Sequence, residues 1–299
     1  MFVLVLLMKK ISISAILLVY NTEKTIKVCL DSIKDFVDEI IIVHNGHCHD
    51  NTIKICSNYT DKIYIGEPVG TAEPQRNFTF LQAKGDWILQ IDGDEFITEE
   101  LKKQILKNIK RKDIGSMGSL WCPNKLRKNT GFFSRSEKSF IWRKEDMTFV
   151  EGAPHSIPQF KHKGLILGAR LGHNVGDRLY FFDKTYPVVT IHAAYNLIFD
   201  PNVKKKFFSK AFKMTLGIPW IYLRKGILDE GIIGIGYVMC QFLYYLQIYL
   251  YVLLDIFHLP TKKLTERKNF FQKFYKKTTY THYRTGKVKV FHPGKARFY

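Results

Sequence analysis

The chain has 299 residues, 46% hydrophobic and 14% aromatic, enough for one large domain or a domain with an appendage. Five cysteines (Cys29, Cys48, Cys56, Cys122, Cys240), odd in number and without a CxxC pair, argue against a disulfide framework and for a reducing compartment. The formal net charge of +19 is unevenly spread: 1–100 is mixed in sign, 204–213 is basic, and from Thr261 onward Glu266 is the only acid. A basic end beside an apolar stretch suits anionic lipid, whereas a basic end alone would suit nucleic acid.

The opening MFVLVLLMKK is apolar but too short for a signal-peptide core followed by a cleavage site. Met8-Lys9-Lys10 is the more natural beginning, which would make 1–7 an over-called start. Residues 11–19 (ISISAILLV) are predicted as a central strand, followed by a helix over 25–36 with Ile26, Cys29, Leu30 and Ile33 at helical spacing. Asn21 or Thr22 is its expected N-cap. A second buried strand, 39–43 (EIIIV), opens into the polar loop 44–52 and a short helix over 52–59. A third strand is expected at 62–65 and a helix at 74–83. The run 87–91 is a fourth strand, and 98–109 a further helix. Strand and helix alternate with short connections, which predicts a mainly parallel sheet with right-handed crossovers.

The fourth strand ends in Asp92-Gly93-Asp94-Glu95. Three carboxylates around one glycine are costly unless positive charge sits among them. Hard divalent cations such as Mg²⁺ or Mn²⁺ take one or two carboxylates together with substrate phosphates. The turn is therefore expected to be a metal–diphosphate site at the C-terminal edge of an α/β sheet, where ligands of such sheets bind. The bland alternative is a solvated acidic turn whose Glu95, Glu99 and Glu100 favour a helix N-terminus.

The ordered series YNTE (20–23), VHNGHCHDNT (43–52), QRN (75–77) and GDWILQIDGDE (85–95) resembles glycosyltransferase family 2, with its GT-A fold that binds nucleotide-diphospho-sugars. Within that family the chain resembles the lipopolysaccharide-core glucosyltransferase branch. The motifs cover about the first third of the chain. The resemblance implies a Rossmann-like, mainly parallel sheet flanked by helices. It implies a turn at Tyr20, Asn21 and Glu23 facing the nucleotide base, and Asp50 fixing the second loop. Where the family usually carries an aspartate for the uracil N–H, this chain has His44 and Asn45, whose amide oxygen could accept the same bond without charge. Gln75, Arg76 and Asn77 at a helix start would suit the diphosphate. Asp92 would contact the ribose or the metal, Asp94 would be the direct metal ligand, and the metal would be Mn²⁺ or Mg²⁺. An inverting transfer needs a base for the acceptor hydroxyl. The branch has a His-Glu pair after a glycine; here His155 matches and Ser156 stands for the glutamate, leaving Glu151, Asp146 or His155 to take the proton. Gly172-His173-Asn174 and His192 are weaker candidates for acceptor or metal contacts.

Two patterns are decoys. His44, His47, Cys48 and His49 lack a partner pair at zinc-ligand spacing, and Gly231-x-x-Gly234-x-Gly236 lacks the preceding strand of a dinucleotide fingerprint. In the middle region, 116–122, 138–143 and 188–192 are expected strands. Beyond 196 the character changes: a basic helix with Phe207, Phe208 and Phe212 precedes an uncharged run, 232–254, long enough for a bilayer core of ~30 Å. Basic flanks on both sides conflict with a single span and favour a helix lying in the interface. The run RKGILDEG at 224–231 is similar to one in the resembled branch, where it goes with a lipid-linked acceptor.

The expected organisation is thus a GT-A domain over 8–196 (donor half 8–113, acceptor half 114–196), a helical membrane-associating region over 197–260, and a basic tail over 261–299. The expected function is a metal-dependent, inverting sugar transfer to a cell-envelope glycan or lipid-linked acceptor at the cytoplasmic face of the membrane. A catalytically inactive sugar-nucleotide-binding relative and a polyprenyl-phosphate sugar transferase are the alternatives. A nucleic-acid partner is not expected, since no RNP-like, zinc-finger or helix-turn-helix signature is present.

Overall fold

The computed structural model describes residues 11–69, 73–123, 137–148, 159–174, 190, 193–194 and 207–293. Its centre is β1 (Ile13–Val19), flanked by β2 (Glu39–Asn45) and β4 (Trp87–Gln90), with β3 (Ile63–Gly66) beyond β2; all three ladders are parallel. Nearly every residue of β1 is buried, as a strand covered on both faces requires. Ala15 and Leu17 face α1 (Ile26–Ile33), α2 (Thr52–Cys56) and α4 (Glu99–Asn108), in a core with Leu30, Ile33, Trp87, Leu101 and Ile105. Ile16 faces the other way, toward Phe78 and Phe80 of α3 (Glu73–Gln82). The sheet is therefore a middle layer between helices.

The start of α1 differs from expectation. Asn21 has a left-handed backbone (φ 47°), and its side chain accepts from His49 N–H. The Thr22 carbonyl instead receives Thr25 N–H and Ile26 N–H at 3.0 and 2.9 Å. At α4 the Thr98 hydroxyl accepts Leu101 N–H, with Glu99 and Glu100 in the first turn complementing the helix dipole.

A mainly parallel sheet is corrected by the structure. The ten strands of the described sheet run in the order β12 (Val288–Phe291), β11 (Thr278–His282), β3, β2, β1, β4, β7 (Glu137–Arg143), β6 (Ile114–Pro123), β10 (Lys163–His173) and β5 (Glu95–Phe96), and the longest parallel run is β3-β2-β1-β4. β6 (Ile114–Pro123) and β7 (Glu137–Arg143) make an antiparallel pair that enters beside β4, so β7 runs against it. β10 (Lys163–His173) pairs in parallel with β6 and antiparallel with β5 (Glu95–Phe96). β8 (Met147–Thr148) and β9 (Gln159–Phe160) form a separate two-stranded ladder. Of the strand expected at 188–192, Thr190 alone is described, and it is helical.

The stretch expected as a basic tail is also corrected. It holds α8 (Lys262–Lys276) and a hairpin of β11 (Thr278–His282) and β12 (Val288–Phe291), and β11 pairs antiparallel with β3, extending the sheet. The cause is an aromatic anchor: the Tyr280 ring stacks on Phe78 of α3, centroids 3.7 Å apart and 7° from parallel. The lysines of the hairpin are exposed.

Between the sheet and α8 lie α5 (Phe207–Phe212), a π-helical turn (Lys213–Gly217), α6 (Ile218–Arg224), a 3-10 turn (Ile227–Glu230) and the 25-residue α7 (Ile232–Ile256). Ile248, Tyr249 and Val252 of α7 pack on Phe207 and Leu264. Its opposite side, Ile232, Ile235, Met239, Leu243, Leu246 and Leu250, is exposed.

Candidate active site

The loops after β1 and β2 are tied together at the C-terminal edge of the parallel strands. Asn21 N–H donates to His44 Nε2 (3.3 Å), while His44 Nδ1 lies 2.8 Å from the Gly46 carbonyl, which can only accept. Nδ1 therefore carries the proton and Nε2 does not, and burial lowers the His44 pKa in keeping with that neutral ring. Glu23 Oε2 accepts from both Asn51 N and Nδ2 at 3.0 Å. Asp50 accepts Glu23 N–H (3.1 Å) and Thr52 N–H (2.8 Å), so it ties the two loops together. Burial pushes the Asp50 carboxyl up, but the Thr52, Glu23 and Cys48 hydrogen bonds outweigh it and leave the pKa below the ordinary value. Tyr20 is exposed at the rim, its ring 5.8 Å from that of His44. No group of three His, Cys, Asp or Glu side chains placed to hold a metal occurs among the described residues, and His47 and His49 are exposed.

Asn45 and Gln75 are placed differently from expectation. The Asn45 side-chain oxygen already accepts Val69 N–H and Gln75 Nε2–H, both at 2.9 Å, which uses its two lone pairs. It is a loop tie rather than an acceptor directed at a base. Gln75 and Asn77 are buried in α3, whereas the Arg76 charge bears on Asp92. Only Arg76 of the three is thus brought to the acidic turn.

The turn itself is organised around a lysine that the sequence reading did not single out. Lys138 Nζ lies 2.7 Å from Asp92 Oδ2 and 2.6 Å from each carboxylate oxygen of Glu95. The β4–β7 register explains this: Leu89 faces Ile141, and the same antiparallel register continued brings Lys138 opposite Asp92. Glu95 is buried and also accepts Asp92 N–H at 2.9 Å. Burial and the Asp92 charge push its carboxyl up to about 7, against the pull of Lys138. For Asp92, burial is outweighed by Lys138 and Arg76, which hold its carboxyl below the ordinary range. Burial would lower the Lys138 pKa, but Asp92 and Glu95 raise it, so the ammonium stays charged.

Asp94 points a half-exposed carboxylate at His173, Oδ2 to Nε2 3.2 Å, and its carbonyl accepts Asn174 N–H at 2.6 Å. The β5–β10 ladder makes this contact, pairing His173 with Glu95 and Gly172 with Phe96. Gly172 is needed there because the Phe96 ring occupies the space a Cβ would fill. The sequence offers Gly172-His173-Asn174 only as candidates for acceptor or metal contacts; the pairing of distant strands is what brings His173 to Asp94.

Asp146 is removed as a candidate base. It sits past the end of β7 that lies beside Trp87, at the opposite edge of the sheet from Asp92, and is paired with His162. Burial pushes its carboxyl up, but the hydrogen bonds from His162 hold it below the usual range. Glu151, His155 and His192 lie outside the described residues.

The model of glycosyl transferase family 2 matches residues 14–161. An uncharacterized glycosyltransferase of Rickettsia typhi is 33% identical over 98 residues, covering 33% of this chain and 32% of that protein's length. The prophage-derived glycosyltransferase SunS of Bacillus subtilis is 33% identical over 93 residues, covering 30% of this chain and 22% of SunS. This chain thus spans about a third or less of the curated relatives it matches. Among solved structures, S. aureus TarS superposes with a TM-score of 0.46 at 14% identity, covering 94% of this chain and 60% of TarS. Glucosyl-3-phosphoglycerate synthase from Mycobacterium tuberculosis gives 0.42 at 15% identity, covering 60% of this chain and 78% of that one.

Proposed function

We propose that the chain, whose residues 14–161 match the model of glycosyl transferase family 2, moves a sugar from a nucleoside-diphosphate sugar to a hydroxyl of a cell-envelope glycan or lipid-linked acceptor. One observation carries the reading furthest. The acidic turn Asp92–Glu95 stands at the C-terminal edge of β4, beside the tied loops of β1 and β2, with Arg76 acting on Asp92.

The donor set fits a divalent metal. Asp94 offers a half-exposed carboxylate, Asp92 keeps one oxygen outside its Lys138 bond, and one or two carboxylates with substrate phosphates are the usual complement for Mg²⁺. When bound there, Mn²⁺ or Mg²⁺ supplies charge neutralisation for the leaving diphosphate. The chain's own residues do the rest. Arg76 adds a positive charge beside the turn, and Lys138 keeps Asp92 ionised and oriented before the donor arrives. His173 orients Asp94. In an inverting transfer Glu151 or His155 takes the acceptor proton.

The chain works at an anionic cytoplasmic membrane face. In support, α7 packs one side on the protein and exposes an apolar stripe on the other, with Phe208, Phe212 and Trp220 exposed nearby among Lys210, Lys213 and Arg224. An in-plane helix uses such a one-sided surface; a lone span would need an apolar circumference.

The test is a thermal-shift screen of UDP-, GDP-, CDP- and dTDP-sugars with and without Mn²⁺. Ligand at a hundredfold excess over its Kd raises stability by about 2.7 kcal/mol. One nucleotide series should shift the transition with metal, and Asp94→Ala should lose both the shift and transfer while keeping the wild-type Tm. Near-normal turnover in that variant would remove the metal assignment. A second reading, donor binding without turnover, draws on the Lys138 ammonium already seated on Asp92; donor binding with neither transfer nor hydrolysis would establish it.

A further inference from the structure

The loop after β3 is held from two sides. From within, Asn45 accepts Val69 N–H, and Gln75 donates to both Asn45 Oδ1 and the Glu67 carbonyl (2.6 Å). From outside, α8 lies across the same loop. Arg267 donates to the Val69 carbonyl, and Val69 is fully buried with Phe271 and Phe274. The Arg267 guanidinium lies over the Phe271 and Phe270 rings, 4.6 and 5.3 Å from their centroids. No ion pair of Arg267 occurs among the described residues, and burial lowers its pKa to about 10. A half-buried guanidinium with no carboxylate partner among the described residues is an expensive way to attach a helix that other contacts already hold. Lys268 pairs with Asp255 of α7 at 2.6 Å, the Thr261 hydroxyl caps α8, and the following β11 is hydrogen-bonded to β3. Among the described residues it is Arg267 that bonds the Val69 carbonyl, and the Val69 N–H is bonded to Asn45 at the mouth of β2.

We infer that Arg267 is a positioning residue for the donor site: the C-terminal helix latches the loop 67–69, and through Asn45 and Gln75 it fixes the wall beside the base-facing loops. This rests on the donor-site reading above. It also explains why a segment some 200 residues away in sequence belongs to the same working unit (|i−j| = 198 for the Arg267–Val69 bond).

Two measurements on the full chain separate the latch from the donor reading. Hydrogen exchange without nucleotide reads the latch itself. Arg267→Ala should exchange about tenfold faster at Val69 N–H and across 63–82, with β1 and β4 unchanged, and Arg267→Lys should be intermediate because one donor survives without the planar fork. Calorimetric titration with UDP, GDP, CDP and dTDP, each with Mn²⁺, reads the consequence. For whichever nucleotide the wild type binds, Arg267→Ala should weaken Kd by about tenfold, with kcat at saturating donor sugar changed much less and Arg267→Lys partly restored. Unchanged exchange in Arg267→Ala overturns the latch whatever the nucleotides do. A loosened loop with unchanged Kd overturns the positioning role and leaves a structural one. A wild type that binds none of the four overturns the donor reading, and the exchange data then judge the latch alone.

Discussion

Lys138 is a single ammonium serving Asp92 and Glu95, and its removal should expose how closely the acidic turn is balanced. Breaking a buried pair by deleting one partner leaves an uncompensated charge, which costs about 3–5 kcal/mol where burial is complete. Glu95 is buried but Asp92 is half-exposed, so Lys138→Met should lose about 2–3 kcal/mol in urea unfolding at pH 8. The sign with pH follows from Glu95. Its folded pKa, about 7, lies above its ordinary 4.5, so its contribution is fully present below 4.5 and is lost as pH rises through 7. Lys138→Met should therefore be less destabilised at pH 5 than at pH 8, and Lys138→Met/Glu95→Gln should recover much of the loss at pH 8. Equal losses at both pH values would mean that the ammonium does not answer to Glu95. The acidic turn was legible because three carboxylates around a glycine are chemically conspicuous. Lys138 was not, because a lysine heading a strand looks ordinary until β7 is placed beside the turn, and His173, though a candidate for acceptor or metal contacts, has no partner in sight until β10 is paired with β5.

At the scale of elements, the parallel block was readable from its apolar runs and the helical spacing of Ile26, Cys29, Leu30 and Ile33, since burial on two faces leaves a continuous signal. The antiparallel insertion of β6–β7 was not, because strand order depends on contacts that local periodicity does not encode. The C-terminal hairpin was hidden by its charge: Lys287 and Lys289 are exposed, and the inward face of β11 is carried by Thr278 and Tyr280. That small face makes a sharp test. Tyr280→Ala should cost about 3–5 kcal/mol, as for other buried aromatics truncated to alanine. The Tyr280 hydroxyl has no hydrogen-bond partner among the described residues, so Tyr280→Phe should be neutral or slightly stabilising. A similar loss in both, read from urea midpoints, would show the hydroxyl rather than the Phe78 stack to be what matters.

For the whole molecule, the proposed membrane face would account for both the basic excess and the apolar helix. The exposed residues of α7 recur at spacings of three and four and therefore form one stripe, and the packed residues Ile248, Tyr249 and Val252 lie on the other side. The packed side joins α7 to α5 and α8, and α8 reaches the loop after β3 through Arg267, so on the proposed reading a membrane-facing stripe and a donor site would share one support. Met239→Glu/Leu243→Glu/Leu246→Glu places three charges on the exposed stripe while leaving the packed face intact. Each change is on the surface and should alter folding stability by only about 0.5 kcal/mol. In flotation with phosphatidylglycerol-containing vesicles the wild type should rise with the lipid, less so at high salt, and the triple variant should stay behind with an unchanged Tm. Alkaline carbonate should then release the wild-type chain completely, because an in-plane helix is held by one apolar face and by charge. Retention after carbonate would require α7 to leave Phe207 and Leu264 and enter the bilayer on all sides, separating it from the support that this fold gives it.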